Sequence, residues 1–80
     1  MDELYIKKLF ANTYQKYIFN LKLGRTELVA YFSGQLEFIL NNFRNYLGTD
    51  EEITMLKNKS EANALEHIEF YSKSNILDVI

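Results

Sequence analysis

The chain has 80 residues, of which 48% are hydrophobic and 25% are charged, and its formal net charge is −2. This length fits a single domain over residues 1–80, and the composition is typical of a globular protein rather than a disordered one. The absence of cysteine excludes disulfides, zinc–thiolate sites, iron–sulfur clusters and thiol catalysis. The longest apolar run, residues 28–32, is far shorter than the roughly 20 residues that span a bilayer, and the first residues lack a secretory signal pattern. We therefore expect a cytoplasmic protein with no membrane partner.

Three stretches place apolar side chains at spacings of three and four residues, which is the period of an α-helix with one buried face. They predict helices at about residues 3–22, 27–47 and 50–72. Gly24 and Gly48 follow the first two stretches, and a glycine at positive φ commonly ends a helix. Because the chain also lacks proline, we expect an all-α fold, a small bundle of three helices.

Polar residues predict how the second and third helices begin. The hydroxyl of Thr26 is placed to cap the second helix, and Thr49 with Glu52 has the spacing of a capping box. In the third helix the apolar stripe changes phase across residues 57–60, where Asn and Ser favour turns. A break near Ser60 would divide this helix and make a bundle of four.

The apolar stripes also predict which side chains form the core. The first and second helices each carry one broad apolar face, and the beginning of the third helix carries a shorter one. The side chains that we expect to be buried together are those of Phe10, Tyr17, Phe32, Leu36, Ile39, Phe43 and Leu56.

The second helix has more apolar surface than one buried face requires. Tyr31, Gly34 and Phe38 lie roughly opposite its main stripe, and Tyr5 and Phe19 lie away from the main face of the first helix. A glycine inside a helix costs about 1 kcal/mol relative to alanine, and close approach by another backbone is a common compensation. Three interpretations stay open: the second helix is covered on both sides by its own chain, it contacts a second copy in a homodimer, or it binds a different protein.

Charge is distributed unevenly along the chain. Residues 1–25 have an excess of basic groups and residues 49–80 an excess of acidic groups, so we expect the first and last helices to be neighbours. The acidic residues Glu61, Glu66 and Glu69 are expected to form a solvated face. His67 lies among them without a second ligand at helical spacing. We therefore predict no metal site, no cofactor and no catalytic residue.

Nucleic-acid binding is an alternative, either through the basic first helix, where tyrosines near Lys8 and Lys16 could stack on single strands, or through the second helix. DNA or RNA recognition uses cations and amide side chains on an element that enters a groove. The second helix offers Arg44 beside Asn41, Asn42 and Asn45. The third helix is acidic and would repel phosphate, so this interpretation ranks below protein binding.

Residues 24–26 (GRT) and 33–43 (SGQLEFILNNF) are similar in part to the small helical-hairpin phosphatases of sporulation phosphorelays. The signature of that family is Ser-Gln-x-Leu-Asp followed by apolar residues. This chain has Gly34 in place of the glutamine and Glu37 in place of the aspartate, and a second similar stretch occurs at residues 74–78 (SNILD). The resemblance implies a phosphatase that directs Glu37 or Asp78 at an aspartyl phosphate.

The residues themselves favour protein binding over either alternative. We expect a small module without enzymatic activity that regulates or inhibits a partner protein and also forms a homodimer. Association is favoured by size, because cores of chains below about 70–80 residues rarely supply more than ~3–5 kcal/mol. The predicted contact residues are Tyr31, Gly34, Phe38, Tyr5 and Phe19.

Overall fold

A computed structural model describes residues 2–79, with side chains described for residues 2–73. These residues form α1 (Glu3–Lys22), α2 (Thr26–Phe43), a short 3₁₀ turn (Arg44–Tyr46) and α3 (Asp50–Val79). No strand occurs in this part of the chain, so the predicted all-α bundle of three helices is confirmed. None of the described helices is long and apolar enough to cross a bilayer.

Helix α1 is the middle helix of the bundle. α2 and α3 each pack against α1, whereas within residues 2–79 no Cα atom of α2 lies within 8 Å of a Cα atom of α3. The side chains of Gln15 and Phe19 in α1 meet those of His67 and Tyr71 in α3, so α1 and α3 run parallel, whereas α2 is antiparallel to both. The interpretation that the second helix is covered on both sides by its own chain is therefore wrong.

The turn after α1 uses the positive φ of Gly24, which is +70°. The Gly24 N–H donates to the carbonyl of Leu21 and the Arg25 N–H donates to that of Asn20, which are the two bonds of a Schellman motif. This turn brings the chain directly into α2. Thr26 is consequently the first helical residue rather than the predicted cap, and Arg25, at the cap position, forms no side-chain cap bond.

The connection between α2 and α3 is longer than the sequence predicts. α2 ends at Phe43 rather than near residue 47. The backbone changes there from α-helix to the 3₁₀ turn and then reverses direction at Gly48 (φ +96°). A Cβ atom at Gly48 would lie 2.9 Å from the carboxylate of Glu52, so both conformation and space favour glycine here. Arg44 forms an ion pair with Asp50 across the connection.

The predicted capping box forms at the start of α3. The N–H of Glu52 donates to the hydroxyl oxygen of Thr49, and the Glu52 carboxylate accepts from the N–H of Thr49, both at 3.2 Å. This backbone bond, together with a bond from the Thr49 hydroxyl, lowers the pKa of Glu52 below its ordinary value of 4.5. The ionised carboxylate is therefore part of the helix cap.

α3 continues through Ser60 without a break, so the predicted division into two helices is wrong. The change of phase in the apolar stripe of α3 has a different cause. Ser60 and Ala64 are 3% and 0% exposed, and they face α1, since α1 is the helix that covers α3. Small side chains one turn apart let two helix backbones approach closely, so these positions do not need large apolar residues.

The core lies at the end of the bundle where α1 begins and α2 ends. Its buried members are Ile6, Phe10, Leu36, Ile39, Leu47 and Ile53. Of the predicted core, Phe10, Leu36 and Ile39 are buried, while Tyr17, Phe43 and Leu56 are half-buried and pack against the cluster. Phe32 differs from the prediction because it is half-buried outside the cluster, with the Lys16 ammonium 6.0 Å from its ring centre.

α1 and α3 are neighbours, as their opposite charges predict, but no ion pair joins them among the described side chains. The ion pairs there lie within single helices, Lys7–Glu3 in α1 and Lys73–Glu69 in α3, apart from the one across the α2–α3 connection. Packing and the Gln15–His67 contact, at 3.2 Å, join the two helices instead. The uneven charge therefore leaves basic groups of α1 available at the surface.

Truncation of Leu36 to alanine is expected to lower the free energy of unfolding by about 2–5 kcal/mol, because it leaves a cavity in the core. This loss is comparable to the whole stability of a chain of this size. Leu28→Ala is the matched control, since it makes the same change in the same helix at a position that is 42% exposed. It should cost only about 0.5 kcal/mol. Urea unfolding, followed by circular dichroism, measures the unfolding free energy of both variants. Equal losses of stability in the two variants would show that Leu36 is not in the core.

The capping box makes stability depend on pH. Because the pKa of Glu52 is lower in the folded chain, its ionised form stabilises the fold above the unfolded-state pKa near 4.5, and this contribution is lost as the pH falls through the folded pKa. Glu52→Gln keeps the capping geometry but does not titrate. As the pH is lowered from about 5.5 to about 3, we expect the urea midpoint of the wild-type chain to fall further than the urea midpoint of Glu52→Gln. A constant difference across that range would contradict this role of Glu52.

Candidate protein-binding surface

The side of α2 that adjoins its contact with α1, next to Leu9, carries exposed aromatic residues. Tyr31 and Phe38 are seven residues apart on this side and are each 59% exposed, with Gly34 between them. These three residues, together with Leu9 and Gln35, form what we call the α2 outer face. The structure therefore brings together Tyr31, Gly34 and Phe38, which the sequence predicts as contact residues.

A shallow groove of about 350 Å³ runs along the α2 outer face, and its remaining wall is Ile39 of the core. The Gln35 amide donates to the Tyr31 hydroxyl at 3.0 Å, which orients the phenol ring. Phe38 contacts the edge of Phe43, with ring centres 6.0 Å apart. Both aromatic rings are thus positioned by their own chain while more than half of each residue's surface stays in solvent.

Gly34 is not required by the packing of its own chain. Apart from the adjoining residues and backbone of its own helix, a Cβ atom at this position would have no heavy atom within 4 Å, and Gly34 is not at positive φ. Glycine in a helix interior is about 1 kcal/mol less favourable than alanine, so the chain loses stability here without an internal reason. A flat surface of this kind is what close approach by an outside backbone requires.

The two predicted contact residues of α1 lie on different surfaces. Tyr5 is 57% exposed and lies one turn before Leu9, on the same side of α1. Phe19 packs instead against the edge of Tyr71 in α3, with ring centres 6.4 Å apart, and Arg25 lies over its ring. The structure therefore does not bring Phe19 to the α2 outer face. Sequence reasoning missed Leu9, although its spacing of four from Tyr5 is a signal that points to it.

A second groove of about 370 Å³ lies between α2 and α3. Its floor is a series of rings, Phe10, Tyr14 and Tyr17, with centres 6.1 and 5.9 Å apart, and Lys57 of α3 lies over Tyr14. Burial raises the pKa of the Tyr14 hydroxyl, with smaller contributions from the Glu61 carboxylate and Tyr17. Tyr14 is therefore a neutral hydrogen-bonding group at neutral pH, which suits packing at the edge of the core.

The residues that would carry phosphatase chemistry are not brought to one surface. Glu37 lines the second groove, whereas Gly34, at the family's glutamine position, lines the groove of the α2 outer face. The side chain of Asp78 lies outside the described residues. Within the described part of the chain, no group of three or more His, Cys, Asp or Glu side chains is placed to hold a metal ion. His67 contacts Gln15 rather than other ligands.

The residues that would read nucleic acid are also dispersed. Arg44 and Asn45 lie in the 3₁₀ turn and not on α2, because α2 ends before them. Arg44 is paired with Asp50, and the Asn42 side chain donates to a backbone carbonyl of its own helix. A recognition helix presents such groups on one face, and α2 does not.

Comparisons with known proteins found no match among protein-family models, curated proteins or solved structures. The geometry of the surfaces is therefore the basis on which a function can be proposed.

Replacement of Gly34 by alanine should stabilise the chain. The added methyl group meets open space and alanine favours the helix, so the free energy of unfolding should rise by about 0.5–1 kcal/mol. The change in unfolding free energy is measured by urea unfolding, at a protein concentration where light scattering shows a monomer. Gly48→Ala is the control and should be destabilised, because Gly48 has positive φ and is close to the Glu52 carboxylate. A loss of stability in Gly34→Ala would show that the fold itself needs this glycine.

Proposed function

We propose that this chain is a small protein-binding module without enzymatic activity, which associates through the α2 outer face and pairs first with a second copy of itself. The observation that carries the proposal is the exposure of Tyr31 and Phe38 on either side of Gly34, where the chain leaves open space. Grouped exposed apolar residues mark interaction sites, whereas single ones are common on any surface.

The spacing of the α2 outer face suits a symmetric contact. Tyr31 precedes Gly34 by three residues and Phe38 follows it by four. When two α2 helices cross antiparallel at Gly34, Tyr31 of each copy faces Phe38 of the other. A two-fold contact uses the same patch twice, so two aromatic pairs form around one close approach of the backbones.

Association through this face also suits the small core. Aromatic residues at the centre of an interface typically contribute about 2 kcal/mol or more each, which is a large addition for a chain of 80 residues. A module that covers the surface of another protein in this way would regulate or inhibit that protein. A cytoplasmic location, which the lack of cysteine favours, is part of this proposal.

Phe38→Lys should convert the dimer to a folded monomer. The substitution brings two charges together in an apolar contact, so the dissociation constant should rise by at least about tenfold. Light scattering at several concentrations separates the dimer from the 9.5 kDa monomer, and circular dichroism reports whether the helices remain. Phe70→Lys makes the same change at a residue of α3 that is 73% exposed, and it should leave dimerisation unchanged.

Three outcomes would contradict the proposal in different ways. A wild-type chain that stays monomeric at high micromolar concentration excludes the homodimer and leaves the α2 outer face to a different protein. Unfolding of Phe38→Lys, without a folded monomer, would place Phe38 in the core. Equal effects of Phe38→Lys and Phe70→Lys would mean that the contact does not lie on α2.

A further inference from the structure

The groove between α1 and α3 forms a third surface of the molecule. Two depressions of about 350 and 280 Å³ share Lys7, Leu56 and Lys59, so they make one continuous groove. None of its lining residues belongs to the α2 outer face or to the second groove. We call this surface the α1–α3 seam, and the residues that define it are Leu4, Lys7, Lys8, Met55, Leu56 and Lys59.

The seam has an apolar floor that its own chain does not cover. Leu4 is 57% exposed and Met55 is 64% exposed, and both line the groove. Between them Leu56 is half-buried and packs against the core, which connects the floor to the rigid part of the molecule. Methionine is flexible and adapts to the shape of a partner, so a floor of this composition suits protein binding.

Lysine side chains stand around this floor. Lys7 pairs with Glu3 at 3.2 Å, whereas Lys8 and Lys59 are exposed and have no ion-pair partner among the described side chains. Glu52 is the acidic residue that lines the seam, and its carboxylate is held in the capping box of α3. The seam is therefore locally positive in a chain whose net charge is −2.

The shape of the seam fits a helix. α1 and α3 run parallel along it, and the groove between two parallel helices accepts the ridge of a third. The residues that line it recur at helical spacing, with Leu4 and Ala11 seven residues apart and Met55 and Lys59 four apart. From Leu4 to Gln15 the seam extends about 16 Å, which is three turns of an incoming helix.

We propose that the α1–α3 seam binds an amphipathic helix of another protein, with its apolar stripe on Leu4, Met55 and Leu56 and with Asp or Glu side chains opposite Lys8 and Lys59. The apolar floor supplies contact area, and the lysines select an acidic partner and fix its position. Because the seam and the α2 outer face share no residue, a dimer formed through α2 presents two seams.

The combination of charge and apolar surface favours an amphipathic helix over two other ligands of the seam, a nucleic acid and a second copy of this chain. A nucleic acid would pair with the lysines but would leave Leu4 and Met55 in water. A second copy could offer its own acidic helix α3, which carries Glu51, Glu66 and Glu69. A head-to-tail contact of this kind joins different patches, so it would build rings or open filaments that are larger than a dimer.

Three synthetic peptides of about 18 residues test the proposal, each long enough for the three turns of the seam. In the first peptide, leucines are separated by alternating steps of three and four residues, which gives one apolar stripe, and glutamates lie on both sides of that stripe. The second peptide has lysine in place of each glutamate. The third has the composition of the first in a shuffled order that leaves no apolar stripe. We expect the glutamate-flanked peptide to bind the full chain at least about tenfold tighter than either of the others, by fluorescence anisotropy. Its affinity should fall as salt is raised, since exposed charges are screened.

Variants of the chain locate the site. The double variant Lys8→Glu with Lys59→Glu should weaken binding of the glutamate-flanked peptide by about tenfold, with the helices retained by circular dichroism. Lys16→Glu makes one such charge reversal on α1 at the Phe32 ring, outside the seam, and should change affinity by less than about twofold. The dimer population of each variant, measured by light scattering, should be unchanged because the seam does not contribute to the α2 contact.

Each of the following results overturns the proposal. Equal binding of the glutamate-flanked and lysine-flanked peptides, or unchanged affinity in the double variant, removes the charge selection. Tighter binding of the shuffled peptide or of a short DNA duplex would show that the lysines bind anions without the apolar floor. Assemblies larger than a dimer that grow with concentration, and that the double variant abolishes, would identify a second copy as the occupant.

Discussion

The packing of α1 between the other two helices is the constraint on which the structure depends. α1 packs closely against both α2 and α3, whereas the backbones of α2 and α3 do not come within 8 Å of each other in the described residues. Its fully buried side chains Ile6 and Phe10 hold the core together, which also takes residues from α2, α3 and the connection between them. The burial of Ile6 and Phe10 is therefore what joins α2 and α3 to one core.

This open arrangement explains why so much apolar surface is exposed. In a closed bundle of three helices each helix covers two others, whereas here α2 and α3 each bury a single stripe against α1. The exposed residues are not spread evenly. Tyr31 and Phe38 lie together on the outer face of α2, and Leu4 and Met55 lie together along the seam with α3. Gly34 lies beside the first group, and beside the second lie Lys8 and Lys59, which form no ion pair with the side chains that the structure describes.

The buried polar side chains form hydrogen bonds within the fold. In the described part of the chain no buried side-chain nitrogen or oxygen lacks a hydrogen-bond partner. Thr13 donates to the carbonyl of Leu9 and Asn20 to that of Lys16, both at 2.7 Å, so each bonds its own helix. The proposed binding therefore rests on the exposed apolar patches and not on the interior polar groups.

The sequence by itself determines the features that depend on residues within a turn or two of each other. The three helices follow from the apolar period, the reversals at Gly24 and Gly48 from glycine, and the cap of α3 from the spacing of Thr49 and Glu52. Tyr31, Gly34 and Phe38 are predictable in the same way, because one helix places them on one side.

Tertiary structure alone decided which apolar residues are covered. Phe32 and Leu36 share the main apolar stripe of α2, yet Leu36 joins the core and Phe32 lies half-buried outside it, because the core is at the end of the bundle where α1 begins. Ser60 resembles a helix breaker in sequence but is a close-packed contact with α1. The α1–α3 seam joins residues 4–15 with residues 47–63, which no local pattern relates. Burial and grooves depend on how helices distant in sequence pack together, and local propensity carries no information about that packing.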